Sequence, residues 1–378
     1  MIHRYQKKGL NFVLDVNSGA VHLLDDISYA VSGLLDENMG DTCPQSIIDA
    51  LPDYTADEIR EAYDELYELK KAGQLFAQDD YIDVSRYIPV NAPVKALCLH
   101  VAHDCNLRCK YCFASTGDFG QGRKIMPPEI AKKAIDFVIA RSGVRHNIEV
   151  DFFGGETLMA WDTVTQTVDY ARSLEEKYNK KFRFTITTNG LLLDEDKRKY
   201  INENMDNCVL SLDGRREVND EFRKTVAGTG SYDTIVPKFK ALVDERDPNL
   251  DYYARGTFTS HNLDFAEDVL SIADAGFDRL SVEPVTADPG CGYDLTEDDL
   301  PKIEAEYDRL TDIMLERKKE GKPFTFFHFM VDLDQGPCVV KRLRGCGAGY
   351  EYVAVTPDGD IYPCHQFVGT DEFKQGSV

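Results

Sequence analysis

Three cysteines stand close together in His103-Asp104-Cys105-Asn106-Leu107-Arg108-Cys109-Lys110-Tyr111-Cys112-Phe113, spaced C-x3-C-x2-C. Thiolates at that spacing on one short loop can converge on a single metal centre. Three do not complete tetrahedral zinc. They suit an iron–sulfur cluster that keeps one iron open to an outside ligand, with a zinc loop and a remote fourth ligand as the alternative. Further on, Phe152-Phe153-Gly154-Gly155-Glu156 joins glycines, which permit close backbone approach, to a carboxylate that can receive an ammonium. Thr187-Thr188-Asn189-Gly190 and Ser211-Leu212-Asp213-Gly214 place short hydroxyl, amide and carboxylate groups at two more strand ends, where Asn-Gly and Asp-Gly serve equally as turn chemistry. Cys338, Cys346 and Cys364 run among Gly345, Gly347, Gly349 and Gly359, a second metal signal for which structural zinc or free thiols are the alternatives. Cys98 and Cys208 fall in strands and read as small hydrophobes. Cys291, in the loop after the sixth strand of the repeat described next, is a catalytic candidate as ligand or proton donor, with a plain loop thiol as the simpler reading.

The elements that position these groups follow a strand-then-helix rhythm. Apolar strands are expected at 94–101, 148–153, 182–187, 208–212, 252–259 and 279–285, and amphipathic helices at 127–141, 161–178, 232–243 and 263–275. Six such units predict an α/β fold, a partial (β/α)6 TIM-like barrel over 94–295 whose strand ends carry the motifs above. A long acidic helix near 297–320, within a linker at 296–335, is expected to lead the chain away from the barrel toward a last region at 336–378, which is Gly-, Pro- and Cys-rich from Gly336 to Cys364. Ahead of the barrel, residues 1–85 read as a separate winged-helix module. It comprises a hairpin over 10–24 turned by Asn17-Ser18-Gly19, a helix from Ile27 and a helix opened by the capping box of Thr55 and Glu58. A short closing strand is expected at Leu75-Phe76-Ala77.

The 378 residues carry 43 Lys and Arg against 66 Asp and Glu, a formal charge of −23. That balance repels phosphate backbones and anionic lipid heads, so neither nucleic acid nor a membrane surface is an expected partner. No run approaches the ~20 apolar residues of a membrane span, and no signal-peptide hydrophobic region opens the chain. A cytoplasmic location is expected, where ten cysteines are better read as metal ligands or reactive groups than as disulfides.

Cys105, Cys109, Tyr111, Cys112 and Phe113 resemble the signature loop of radical S-adenosylmethionine (SAM) enzymes. The resemblance implies that the three cysteines hold a [4Fe–4S] cluster whose fourth iron is chelated by the amino and carboxylate groups of SAM. It implies that Gly154, Gly155 and Glu156 bind the SAM amino group, and that Asn189 and Ser211 bond its ribose or methionine end. Arg223, in Asn219-Asp220-Glu221-Phe222-Arg223, would reach its carboxylate, an exposed helix salt bridge being the other reading. Cys346-x12-Gly359-x4-Cys364 resembles the opening of a SPASM domain, which implies an auxiliary [4Fe–4S] cluster on Cys338, Cys346 and Cys364. The later cysteines of that domain do not follow, so this region is expected to be incomplete.

The whole arrangement resembles radical SAM peptide maturases, whose first module is a PqqD-like winged helix gripping the leader of a ribosomal precursor peptide. The module's own acidity argues against a DNA-binding winged helix. Residues 1–5, 11–22, 151–156, 255–259 and 338–366 resemble more narrowly the maturases of SCIFF peptides. That likeness implies reductive cleavage of SAM and a thioether between a peptide cysteine sulfur and the α-carbon of another residue, with flavodoxin or ferredoxin as reductant. The alternatives are another SPASM enzyme, such as an anaerobic sulfatase maturase that forms formylglycine, and a zinc-stabilised peptide-binding protein.

Overall fold

The computed structural model describes residues 1–79, 92–331 and 345–378. They divide into two compact units, one formed by the N-terminal residues and one by 92–330 with 346–378.

In the first unit, β1 (Ile2–Lys7), β2 (Leu10–Asp15) and β3 (Val21–Leu24) form an antiparallel sheet in chain order. Lys8 and Gly9 both adopt positive φ, as a two-residue turn between twisted strands requires. The next turn is organised by Asp15, whose Oδ1 accepts from the amides of Asn17 and Ser18 and from the Ser18 hydroxyl. Helices α1 (Asp26–Ser32), α2 (Gln45–Ala50) and α3 (Ala56–Lys71) follow, the last opened by the Thr55–Glu58 capping box. Val13, Val31, Ile59, Tyr63 and Leu66 close the core. The strand expected at Leu75–Ala77 does not form. Phe76 turns left-handed at φ 51°, and Ala77 is tied down by side chains instead of a ladder. Its N–H donates to Asp15 Oδ2 and its carbonyl accepts from Asn17 Nδ2.

The second unit is built on six parallel strands lying side by side in chain order. They are β4 (Ala96–His103), β6 (Asn147–Gly154), β7 (Lys181–Thr188), β8 (Asn207–Ser211), β9 (Asp251–Phe258) and β10 (Arg279–Pro284). The short β5 (Lys124–Ile125) pairs with the end of β4. The crossovers carry α4 (Pro128–Arg141), α5 (Trp161–Tyr178), α6 (Glu195–Asn204), α7 (Arg216–Phe222), α8 (Tyr232–Asp244) and α9 (Phe265–Asp274). The sheet is open, with β11 (Thr325–Phe326) parallel to β10 at one edge. At the other, β12 (Tyr352–Val355) runs parallel to β4, followed by antiparallel β13 (Asp360–Tyr362) and β14 (Gly376–Ser377). The sixfold rhythm thus appears as expected, and residues 346–378 extend the same sheet.

The acidic helix α10 (Leu300–Lys319) does not lead away from the sheet. Leu310 is fully buried in the common core, and the Tyr307 ring meets Phe265 of α9 edge-on at 4.9 Å. Among the described residues no helix is long and apolar enough to cross a membrane.

Alternation along the strands separates two environments. Phe152, Phe184, Ile186, Leu210, Ala254, Phe258 and Val282 pack into the main apolar core with the helices. Their neighbours one residue on, including Phe153, Thr187, Ser211, Arg255 and Glu283, line a cavity on the opposite face. Period-two patterning therefore builds a dry outer layer and a polar inner one from the same strands.

Candidate active site

The cavity, about 260 Å³, opens at the C-terminal ends of the strands and is walled by Cys105, Cys109 and Cys112 on one side. The cysteine loop is fastened at several points. The Arg108 amide donates to the Lys224 carbonyl at 2.7 Å, the Lys110 amide to the Phe222 carbonyl at 3.1 Å, and Leu107 bridges to Thr225. Burial pushes the Cys105 thiol up to about 12 and the Cys109 thiol up to about 11, and raises Cys112, while the Arg223 guanidinium pulls the last two back. Thiols must lose their protons to bind metal, so loading this loop releases protons. Among the described residues no three His, Cys, Asp or Glu side chains close on one point as a single ion demands. A cube of irons takes each thiolate on a separate corner, and three thiols spread over one cavity wall match that donor set.

The glycines of the second motif serve the protein backbone first. A Cβ at Gly154 would strike the Ala102 carbonyl, and one at Gly155 the carbonyls of Asp104 and Gly117. The end of β6 is thereby pressed against both ends of the cysteine loop, with Gly155 N–H donating to Ala102 and Glu156 N–H to Asp104, each at 2.8 Å. Glu156 is 2% exposed. Its carboxylate accepts from Leu158 N at 3.0 Å, Thr188 Oγ1 at 2.6 Å and Asn189 N at 2.8 Å. Burial still holds it above the usual carboxylate range, so a cation in the cavity would be a favourable neighbour. Asn189 Nδ2 donates to Asn106 Oδ1 at 2.8 Å and lies 3.6 Å from Cys105 Sγ, joining the third strand end to the first. Ser211 lines the wall beside it.

Arg223 is not an exposed salt bridge. It is 8% exposed, and its Nη1 donates to the Tyr111 hydroxyl at 2.6 Å and faces Asp213 Oδ1 at 3.5 Å. Tyr111 in turn donates to Asp213 Oδ2 at 2.6 Å. The Nε of Arg223 is buried without a partner. An orphaned guanidinium donor at a cavity wall, together with a buried carboxylate at Glu156, matches the two charges of an amino-acid zwitterion. The residues present therefore fit the amino and carboxylate groups of SAM.

Of the second cysteine set, Cys338 lies outside the described residues. Cys346 is exposed and Cys364 half-buried, with Cys364 Sγ accepting from Gln366 N at 3.3 Å. His365 and Gln366 line the main cavity, and the His365 ring lies 5.0 Å from that of Phe153. This segment therefore borders the same chamber as the cysteine loop. Cys291 lies outside the cavity lining, exposed, its thiol 3.8 Å from Asp294 Oδ1. Cys98 and Cys208 are buried in the strands as expected. Sequence reasoning missed Tyr111 and Asp213 as partners of Arg223, and Arg255, Thr257, Glu283 and His365 as cavity residues. The inner-face alternation of β9 and β10 was the available signal for Arg255, Thr257 and Glu283.

Residues 99–254 match the Radical SAM superfamily. The chain is 26% identical over 293 residues to the cysteine-type anaerobic sulfatase-maturating enzyme of Clostridium novyi, covering 73% of this chain and 74% of that one. It is 24% identical over 287 residues to an uncharacterized protein of Archaeoglobus fulgidus, covering 74% of this chain but only 64% of the relative's length. Its fold is similar to that of Streptococcus suis SuiB bound to precursor peptide SuiA, with TM-score 0.56 and 16% identity over 99% of this chain and 84% of SuiB.

Proposed function

We propose that this chain is a radical SAM enzyme that uses SAM and a [4Fe–4S] cluster, in keeping with the match of residues 99–254 to that superfamily, and that it forms a thioether between a cysteine sulfur and the α-carbon of another residue in a ribosomally made precursor peptide. One observation carries the SAM-dependent part of this reading: a single cavity gathers the three-thiol loop, the Glu156 carboxylate and the Arg223 guanidinium. Cys105, Cys109 and Cys112 would hold the cluster. Glu156 would receive the SAM ammonium, Arg223 Nε its carboxylate, and Asn189 and Ser211 its sugar or methionine end. Gly154 and Gly155 act by letting β6 approach the loop. When bound, the reduced cluster and SAM supply the one-electron chemistry that removes hydrogen from the substrate.

The protein's own residues orient and enclose. Thr188 and the Asn189 amide fix the Glu156 carboxylate, while Tyr111 and Asp213 fix Arg223. The inner faces of β9 and β10 present the ion-paired Arg255 and Glu283, a donor and an acceptor suited to a peptide carbonyl and amide. The segment around Cys364, bordering the chamber, would carry an auxiliary cluster. In the first unit β3 pairs, among the described residues, only with β2 and exposes Leu23 at 62%. An extended leader would add to that edge.

A second reading, formylglycine formation, is favoured by the relation to the Clostridium novyi enzyme. Mass spectrometry of a cysteine-rich peptide carrying its leader, after anaerobic turnover with dithionite and SAM, separates the two. Thioether closure breaks one C–H and one S–H bond and removes two hydrogens from the peptide, whereas formylglycine replaces cysteine sulfur by an aldehyde oxygen. A product of the second kind, or modification of leaderless peptide at the same rate, would overturn the proposal.

A further inference from the structure

His261 follows β9 by three residues and sits outside the cavity, between two acceptors. Its Nδ1 lies 2.8 Å from Glu221 Oε1 and its Nε2 lies 2.7 Å from the Gly292 carbonyl. A neutral imidazole has one N–H and can donate to only one of them. Both contacts are hydrogen bonds only when the ring carries two protons.

The two acceptors belong to segments that flank the cysteine loop. Glu221, near the end of α7, pairs with Lys110 Nζ at 3.4 Å, and Lys110 lies between Cys109 and Cys112 with its ammonium 5.4 Å from the centre of the Phe222 ring. Gly292 belongs to the loop over 286–295, whose Tyr293 hydroxyl donates to the Lys110 carbonyl at 2.9 Å. That loop is braced internally by Asp294, which accepts from the amides of Gly290 and Gly292. Its first residue, Thr286, and the preceding Val285 line the cavity. The charged and titratable groups around the imidazole are therefore Glu221 and Lys110, with the Tyr293 phenol and the Asp294 carboxylate on the loop.

We propose that His261 is a positioning residue for the cysteine loop, acting as an imidazolium that latches the 286–295 loop over Lys110 and releases it on losing a proton. The bond to Glu221 and the Gly292 carbonyl together raise the His261 pKa above 6.5, against slight desolvation and Lys110. The latch is complete below about pH 6.5 and is lost as pH rises through the raised value. Above it, one ring nitrogen turns a lone pair toward an acceptor oxygen. The loop then loses one tie, at His261, and is held by the Tyr293 bond to Lys110 and by the backbone bonds of Val285 to Phe258 and of Ser260 to Tyr293. The inference concerns this chain's loop alone and holds whichever peptide modification the enzyme performs.

Amide hydrogen exchange of the full chain with its cluster loaded anaerobically, corrected for intrinsic pH dependence, tests the latch between about pH 6 and about pH 9. Protection over 288–295 and 108–112 should fall about tenfold across that range, the worth of one charge-assisted hydrogen bond. His261→Ala should show the weakened protection at every pH. His261→Lys, which keeps a cation with several N–H donors, should restore protection and remove the pH dependence. Carbon-13 shifts of the His261 ring, followed on the apoprotein, read the protonation directly. A neutral ring at about pH 6, protection that does not vary with pH, or an alanine variant that titrates like wild type would overturn the proposal.

Discussion

Replacing Arg223 by methionine removes a guanidinium that faces both a buried carboxylate and the cavity. Asp213 is fully buried, and burial already holds its carboxyl above the usual range with Arg223 the strongest opposing influence. Without the guanidinium that carboxylate has no counter-charge, a loss of ~3–5 kcal/mol when one partner of a buried pair is removed. The Tyr111 hydroxyl and the Thr257 amide still donate to Asp213, which favours the lower end of that range. The variant also raises the Asp213 pKa further, so its deficit shrinks as pH falls and the carboxyl takes up a proton. A separate loss concerns SAM. A hydrogen bond to a charged group contributes ~1.5–3 kcal/mol, so losing the Nε donor should weaken SAM binding about ten- to hundredfold. Urea unfolding of wild type, Arg223→Met, Asp213→Asn and the double variant at about pH 7 isolates the coupling, and anaerobic calorimetry on cluster-loaded protein reads SAM affinity. The double variant should recover most of the stability but none of the affinity. A coupling below ~0.5 kcal/mol, or wild-type SAM affinity in Arg223→Met, would refute the reasoning.

Three further predictions concern other parts of the structure. Gly155→Ala drives a methyl into the carbonyls of Asp104 and Gly117, so a loss of ~1–3 kcal/mol should accompany a fall in iron per chain, whereas Gly40→Ala, in open space and without a positive φ, should keep its iron. His100 and His103 are buried neutral with His100 Nδ1 3.2 Å from His103 Nε2, and each leaves its other nitrogen unpartnered. Burial lowers His103 to about 4 and His100 well below 6.5. The unfolded chain therefore binds more protons below 6.5, and stability should drop by about 3 kcal/mol for His103 alone between about pH 6.5 and about pH 4. A His100→Phe/His103→Phe variant with an unchanged acid limb in urea unfolding would contradict this. Leu23→Asp places a charge on the open edge of β3, and fluorescence anisotropy of a labelled leader should show binding weakened at least tenfold, with SAM cleavage unaffected.

How much of this was legible before the structure follows from where the information sits in the chain. The six strands and α5 carry long apolar patterns and appeared within about two residues of their expected bounds. Helices α6 and α7 went unread because Glu195–Asn204 buries only Ile201 and Arg216–Phe222 is barely two turns. Strand β1 is mostly polar and its burial is slight, so only its register against β2 reveals it. The cysteine loop was legible because its three donors are neighbours in sequence. The Tyr111–Asp213–Arg223 group was not, because Tyr111 lies about a hundred residues from the other two and only the crossing of the cysteine loop with α7 unites them. Gly154 and Gly155 were expected for close approach, and the structure shows that the partner is the backbone of the cysteine loop. The strand expected at Leu75–Ala77 was lost to side-chain hydrogen bonds from Asp15 and Asn17, some sixty residues earlier.

The most direct test of the central claim is the iron, acid-labile sulfide and zinc content of the anaerobically reconstituted protein beside a Cys105/Cys109/Cys112→Ala variant. Loss of about four irons and as many sulfides in the variant is the predicted result, with any remaining iron assigned to the segment around Cys346 and Cys364. Zinc without sulfide in the wild type, or a variant that keeps its full iron, would contradict the account.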